Sequence, residues 1–417
     1  MSNIAHLQSH NPKTRIDAIQ VHENDIAELV IISEPGVGKQ IVFDVRDILM
    51  MDTDVSVNAR IMLEELALRS LVYRKVEQSP VLLASDGTDI ACVQTPSVSI
   101  EAVPRYDRGT SQCDGKTIDY YVSDEYKRTV IEAMSDFQLV DIVMTQPLVS
   151  VMASGRDTNV LASFSLQPLT NLVFTRDQQI VTQRGVVLAR LSSEQRQKEI
   201  EIMEFCFQKL GIPIVGRIPD EGRLEGGDFF MAGPDLALVG IGLRSNIQAI
   251  NYLMDNDLLG VSSLAVVRDD IDRSQDRMHL DCVFNILDDK LVLLRSDIAI
   301  EDSPIPRMVD LYVQDPVTKK YSLDPATTNV PFVTFLKGRG FEIIEVTPEQ
   351  QAAYGCNVLN MGKGNILAVH EKVARNIASH RSFRGTVQCM DFSAITSMYG
   401  AVHCASQVVR RRSRNDE

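Results

Sequence analysis

A chain of 417 residues, 44% hydrophobic and 24% charged, has the composition of a globular protein long enough for one large domain or two ordinary ones. A formal net charge of −14 argues against nucleic acid as a main partner, and no apolar run approaches the roughly 18 residues that span a bilayer. Seven cysteines without a C-x-x-C pair argue against a disulfide framework and a structural zinc site; with no basic-then-apolar leader at the N-terminus, they fit a cytoplasmic protein.

Taken in order, the chain repeats one unit: an apolar strand, a Gly- or Asp-containing turn, and a second apolar strand. The pairs fall at 27–32 and 40–45, 172–175 and 185–189, 229–232 and 236–241, 280–287 and 291–294, and 357–360 and 365–370. Helical periodicity follows several of them, at 192–210, 245–255 and 371–380, the first with Ser192 or Ser193 as its cap. Single strands at 212–215, 265–267, 341–346 and 387–392 close the units. Five β-β-α-β copies suggest a ring of modules whose strand ends meet at a central axis, where a site belongs. Residues 76–152 break the rhythm, with a helical candidate at 123–137 and another at 55–71 just before them, and are expected to form an inserted domain; residues 1–75 and 153–417 form the α/β repeat. The arginines at 410, 411, 412 and 414 are expected at a solvated end.

Residues 277–284 alternate as a β-strand does. Met278, Leu280, Cys282 and Phe284 take one face; His279, Asp281 and Val283 take the other. Asp177 ends Phe-Thr-Arg-Asp in the second copy, Glu225 and Asp228 flank two glycines in the third, and Cys404 follows the last closing strand. Singly, each has a plainer reading: a turn, a surface loop, a small buried thiol. Cys206 and Cys282 read as packing, and His403 as structural, pointing away from its neighbour Cys404. Jointly, carboxylates, an imidazole and a thiol at module entries suit a planar cation. Two carboxylates can clamp a guanidinium, whose charge favours a nearby thiolate. That thiolate attacks the central carbon while histidine serves as acid and then base.

These residues resemble the arginine deiminase family of guanidine-modifying enzymes, over roughly 25–75 and 167–410. The motifs are Leu169-Thr-Asn171-Leu-Val-Phe174-Thr-Arg-Asp177, Leu224-Glu-Gly-Gly-Asp228, Gly242-Leu-Arg244-Ser-Asn246, Met278-His-Leu-Asp281 and His403-Cys404. The resemblance implies an α/β fold: a five-module ββαβ propeller (pentein-type) with an inserted, mainly helical domain. It implies hydrolysis of L-arginine to L-citrulline and ammonia without metal or organic cofactor. It makes Cys404 the nucleophile, His279 the acid and base, Asp177 and Asp281 the guanidinium clamp, and Glu225 the carboxylate beside His279. Asp228 supports that loop, and Asn171, Phe174, Arg196 and Arg244 line the amino-acid end, the two arginines facing its carboxylate. The expected partner is a small guanidino compound, with no nucleic acid or membrane and with self-association left open. Two departures bear on the substrate: Tyr399 stands where the family carries an arginine, and Gln178-Gln179 follow Asp177. Amidino transfer, deimination of another arginine derivative, and silent binding of arginine are the alternatives.

Overall fold

The computed structural model describes residues 18–32, 147–153, 160–166, 169 and 171–412. The chain divides into two compact units, the larger including residues 18–32 and 172–412. It opens with β1 (Ile26–Ile32). The smaller unit contains an antiparallel hairpin of β2 (Pro147–Ala153) and β3 (Val160–Leu166). The expected strand at 40–45, the helices at 55–71 and 123–137, and Arg414 lie outside the described residues.

From residue 179 the larger unit repeats β-β-α-β. β4 (Gln179–Val181) and β5 (Val186–Leu188) pair antiparallel, α1 (Gln197–Lys209) crosses over, and β6 (Ile214–Arg217) returns parallel to β5. β7 (Phe229–Met231), β8 (Leu236–Ile241), α2 (Ile247–Asp255) and β9 (Ser263–Arg268) repeat that order. So do β10 (Phe284–Asp288) and β11 (Leu291–Arg295), but an excursion intervenes before their helix. In it, β12 (Met308–Gln314) pairs antiparallel with β9 of the preceding sheet, and β13 (Tyr321–Leu323) and β14 (Val330–Pro331) pair with β12. α3 (Phe332–Gly338) and β15 (Glu342–Val346) then complete the interrupted unit. β16 (Leu359–Asn360), β17 (Asn365–Ala368), α4 (Glu371–Ser379) and β18 (Thr386–Cys389) form the next. β19 (Ser406–Arg412) pairs antiparallel with β1.

Local sequence explains these elements. The central strands are covered on both faces, so Val-Val-Leu in β5 and Leu-Val-Leu-Leu in β11 are continuous apolar runs with every residue buried. α4 turns Val373, Ala374 and Ile377 inward, and His370 Nδ1 accepts the Val373 N–H at 3.3 Å as its cap. Asn246 caps α2 through the Ala249 N–H at 3.2 Å. α1 departs from expectation: a 3-10 turn, Glu194–Arg196, precedes it, and the Ser193 side chain makes no cap bond.

The apolar cores are shared between consecutive sheets. Ile180 and Val187 pack with β7–β9 and α2; Phe230 and Leu238 pack with Phe284, Val292 and α3. Leu287 and Leu293 pack with Ile366 and α4, and Leu359 packs with Val402 and Val408. Val409 joins Val181, Leu188 and the inner face of α1, returning the packing to the first repeat. Each fully buried Leu, Val or Phe in such a core contributes on the order of 1.5–3 kcal/mol.

Three expectations are corrected. Residues 172–175 form a turn; the first strand of that hairpin is β4. Residues 277–284 are no strand: Gln275–Arg277 and Leu280–Cys282 are 3-10 turns, and β10 begins only at Phe284. The Asp228 carboxylate takes the Leu280 N–H at 2.8 Å, and Cys282 N bonds back to the His279 carbonyl, which curls the chain there. Residues 410–412 belong to β19 rather than to a loose end: Arg410 and Arg412 are exposed as expected, but Arg411 is buried, paired with Glu23 at 3.0 Å.

Candidate active site

The segments just before the first strands of successive repeats, with the one before β19, each bring a polar side chain to a buried cluster: Asp177, Glu225 and Asp228, His279 and Asp281, Asn357, and Cys404. All are less than a tenth exposed.

Residues 174–177 are the first support. The Phe174 ring lies against Gly400, and Thr175 Oγ1 donates to the Ile31 carbonyl of β1 at 3.1 Å. Arg176 Nε donates to the His403 and Ser406 carbonyls at 2.7 and 3.0 Å, and its backbone N–H reaches the Cys404 carbonyl at 3.2 Å. The turn carrying Cys404 is thus gripped from both sides by one buried cation. Asp177 follows, with Oδ2 on Arg196 Nη1 at 3.1 Å and Oδ1 buried without a hydrogen-bond partner.

Residues 225–228 show why two glycines lie between two acids. A Cβ at Gly226 would stand 1.9 Å from the Arg176 carbonyl oxygen; one at Gly227 would stand 2.7 Å from His279 Nδ1. The glycines let a backbone turn lie directly on the neighbouring turn and on the imidazole. Glu225 Oε1 accepts the Ser192 N–H at 2.8 Å, and its Oε2 accepts from His279 Nε2 at 2.7 Å. Asp228 Oδ2 accepts from Ser245 Oγ at 2.5 Å while its Oδ1 holds the Leu280 N–H. Asp228 therefore shapes the turn carrying His279 and Asp281.

His279 Nδ1 is 4.0 Å from both Asp177 Oδ1 and Asp281 Oδ1 and has no hydrogen-bond partner. Asp281 Oδ2 accepts from His403 Nδ1 at 2.8 Å and lies 3.6 Å from Cys404 Sγ. The imidazole of His279 and the sulfur thus flank one carboxylate. His403 points into the cluster rather than away, holding Asp281 and stacking on Phe230 at 5.3 Å between ring centroids. Asn357 Nδ2 donates to Cys404 Sγ at 3.1 Å, and its Oδ1 accepts the N–H groups of His403 and Cys404 at 3.1 and 3.3 Å.

The electrostatics are those of a cation site. Burial would lower the His279 pKa, but Asp177 and the Glu225 hydrogen bond raise it to about 10. Glu225, despite burial, is held well below the usual carboxylate range by the His279 hydrogen bond and charge, then by Arg196 and Arg244. His403 is lowered by burial and by the Arg176 charge, so a neutral imidazole donates Nδ1–H to ionised Asp281. The Cys404 thiol is pushed well up, first by burial and then by Asp281 and Asp177. Labelling of Cys404 by neutral iodoacetamide should therefore be slow at pH 7 and still rising above pH 9. A plateau reached near neutrality would show that the carboxylates do not act on the thiol.

Asp228 gives a second titration. Burial raises its pKa to about 7, partly offset by His279 and Ser245. A raised carboxyl pKa favours the folded state below the ordinary carboxylate range, and that contribution is lost as pH climbs through about 7. Asp228→Asn keeps an acceptor for Leu280 N–H and a donor toward Ser245 without the charge. Its melting temperature relative to the parent should climb between pH 5 and 8.5; a difference independent of pH would contradict this.

Asp177, Glu225 and His279 offer donor atoms within 4.8 Å of one another, as do His279, Asp281 and Cys282. Such sets can hold a divalent metal, and the same carboxylates can accept the N–H groups of a planar cation. Of the residues expected at the substrate's far end, Phe174 is buried against Gly400, and Arg244 is half-buried beside the cluster with Nε unpartnered. Arg196 is buried and bonded to Asp177 and Glu199. Asn171 belongs to the smaller unit and is half-buried there. Sequence reasoning missed Asn357, Arg176 and Glu199. Asn357 had a signal: it sits just before the first strand of its repeat, as the acidic residues do.

A family model for arginine deiminase matches residues 103–411, more than half of the chain. Among curated proteins, the chain is 26% identical over 324 residues to arginine deiminase of Halobacterium salinarum, covering 59% of this chain and 65% of that one. It is 25% identical over 261 residues to arginine deiminase of Borreliella afzelii, covering 59% and 62%. The chain thus spans less than two thirds of the length of these relatives. Among solved structures, a dimethylarginine dimethylaminohydrolase adduct is similar at 22% identity and TM-score 0.40, covering 57% of this chain and 78% of that one. Unliganded AgrE is similar at 18% identity and TM-score 0.44, covering 60% and 31%.

Proposed function

This chain belongs to the arginine deiminase family, and on that premise we propose that it hydrolyses a guanidino group, with L-arginine as substrate, through a covalent intermediate on Cys404. The observation that carries the proposal is the Asp281 carboxylate, with Cys404 Sγ 3.6 Å from one oxygen and His279 Nδ1 4.0 Å from the other. A guanidinium donating to Asp281 and to the open Oδ1 of Asp177 places its central carbon beside the sulfur and a terminal nitrogen beside Nδ1. The cation offsets the two charges that raise the thiol pKa, so the thiol loses its proton to solvent on substrate binding.

The thiolate then bonds to the guanidinium carbon. His279, charged and held by Glu225, gives a proton to the departing nitrogen, and the C–N bond breaks to release ammonia. The carbon stays on sulfur as a thiouronium. The now neutral His279 takes a proton from water, hydroxide adds to the carbon, and the C–S bond breaks as the added hydroxyl gives its proton to solvent, which returns thiolate and a ureido product. Asn357 Nδ2, 3.1 Å from Sγ, supports the anionic sulfur in both halves of the cycle. Arg244 is assigned to the substrate's carboxylate, with Phe174 at the same end.

The shared cores and the return of β19 to β1 support a five-module propeller as the scaffold. Residues 76–152 are proposed as its insertion. Incubation with L-arginine should release citrulline and ammonia in equal amounts, and acid quenching should trap an added mass on Cys404. A new guanidine formed only with an added amine would favour amidino transfer. Arginine binding without product or adduct would reduce the protein to a binder.

A further inference from the structure

We propose that the turn His279-Leu280-Asp281-Cys282 is also a metal site. It takes one zinc-like divalent cation on His279 Nδ1, Asp281 Oδ1 and Cys282 Sγ, and that cation blocks the site rather than serving the reaction. Binding is argued from geometry alone; the competition with substrate rests on the guanidine-hydrolase reading. Donor atoms of these three residues lie within 4.8 Å of one another. Asp281 Oδ1 is the shared corner, 4.0 Å from His279 Nδ1 and 3.7 Å from Cys282 Sγ. Tetrahedral zinc with its usual bond lengths holds nitrogen–oxygen and sulfur–oxygen ligand pairs about 3.4 and about 3.6 Å apart. Shifts of less than an ångström therefore close the set.

The surroundings of the three donors are those that metal ligands require. A ligating imidazole gives its other N–H to a carboxylate, and a ligating carboxylate is itself hydrogen-bonded. His279 Nε2 is on Glu225 at 2.7 Å, which leaves Nδ1 buried and without a partner. Asp281 Oδ2 is on His403 Nδ1 at 2.8 Å, which leaves Oδ1 facing the sulfur of Cys282. The turn is pinned by Asp228 on the Leu280 N–H at 2.8 Å and by the Cys282 N–H on the His279 carbonyl at 3.2 Å. A guanidinium accounts for the open nitrogen and the carboxylate, but it has no use for a half-buried thiol beside them. One nitrogen, one oxygen and one sulfur suit zinc, whereas magnesium and calcium take oxygen. Cys404 stands outside the set, its sulfur 3.6 Å from the other oxygen, Oδ2. A cation held on His279 and Asp281 occupies groups the substrate depends on and repels its charge, so the two exclude each other.

The test titrates zinc chloride into the full chain by calorimetry and uses cobalt(II) as a coloured stand-in. Zinc should fill a single site that magnesium does not fill, and cobalt should develop a sulfur-to-metal charge-transfer band. Cys282→Ser should abolish the band and weaken zinc at least about tenfold, the least that loss of even an outer-shell partner costs. Its turnover of L-arginine in zinc-free buffer should match the parent's. Cys404→Ser should keep both the band and the zinc affinity. In the parent, zinc should raise KM for L-arginine at constant kcat, and Cys282→Ser should resist it. If Cys282→Ser does not fold, the cobalt band of Cys404→Ser decides: its retention supports the site, and its loss overturns it. Zinc binding undiminished in Cys282→Ser, or no zinc binding by the parent, would also overturn it. Zinc held through Cys282 by a chain that turns over no guanidine would leave the metal site standing and remove the hydrolase reading. Turnover without zinc binding would do the reverse.

Discussion

Replacing Cys404 by serine should lower turnover of a guanidino substrate by about 10⁴-fold, the scale seen when a catalytic nucleophile is removed. The loss has two sources. A serine hydroxyl is a far weaker acid than a thiol, and at this position Asp281 and Asp177 raise the cost of any anion further. A bound guanidinium can offset those charges for sulfur but not close the larger gap for oxygen. The fold should survive, because the Asn357 amide that holds Sγ can donate to a hydroxyl equally well. Citrulline release and the melting temperature, read on the same preparation, separate the two effects. Undiminished turnover in the serine variant would mean that the nucleophile lies elsewhere, and the mechanism above would be withdrawn.

Which residues would gather in one cluster was legible in the sequence where charge and spacing carry it, and their geometry was not. Glu225, His279 and Asp281 could be singled out because ionisable residues at the entries of apolar repeats are costly unless used. Their arrangement on a strand was misread. Alternation over residues 277–284 is a period-two pattern, but the Leu280 N–H that a strand would offer to a ladder is taken by Asp228, and the chain turns instead. Such a competition between side chain and ladder involves a partner 52 residues away, which no local pattern contains. Arg176 was hidden for the same reason, since its acceptors are carbonyls of residues 403 and 406. The excursion between β11 and α3 was missed because β12 completes the sheet of the preceding repeat, so its apolar face matches strands of another unit. Asn357 was passed over because an uncharged amide carries no electrostatic signal; its position before β16 was the clue.

Glycine-to-alanine changes at 226 and 227 should separate scaffold from chemistry. At 226 the new methyl group meets backbone on two sides, 1.9 Å from the Arg176 carbonyl oxygen and 2.5 Å from that of Gln179. Neither can swing aside as a side chain could, so the turn at 174–179 must move and take its grip on the Cys404 segment with it. A loss of about 3 kcal/mol is expected, visible as a lower denaturant midpoint with an unchanged slope. At 227 the methyl group meets the imidazole of His279, 2.7 Å from Nδ1, and Asp281 Oδ1 at 3.1 Å. A side chain can yield where backbone cannot, so Gly227→Ala should cost only about 1 kcal/mol. The imidazole that yields is the proposed acid and base, however, and a displacement near 1 Å is enough to lower kcat about 10²-fold. The pair thus predicts opposite orders: 226 worse in stability, 227 worse in activity per unit of stability lost. If the two variants instead lost activity only in proportion to stability, the close contact at 227 would serve packing alone, and His279 would not need the position in which Glu225 holds it.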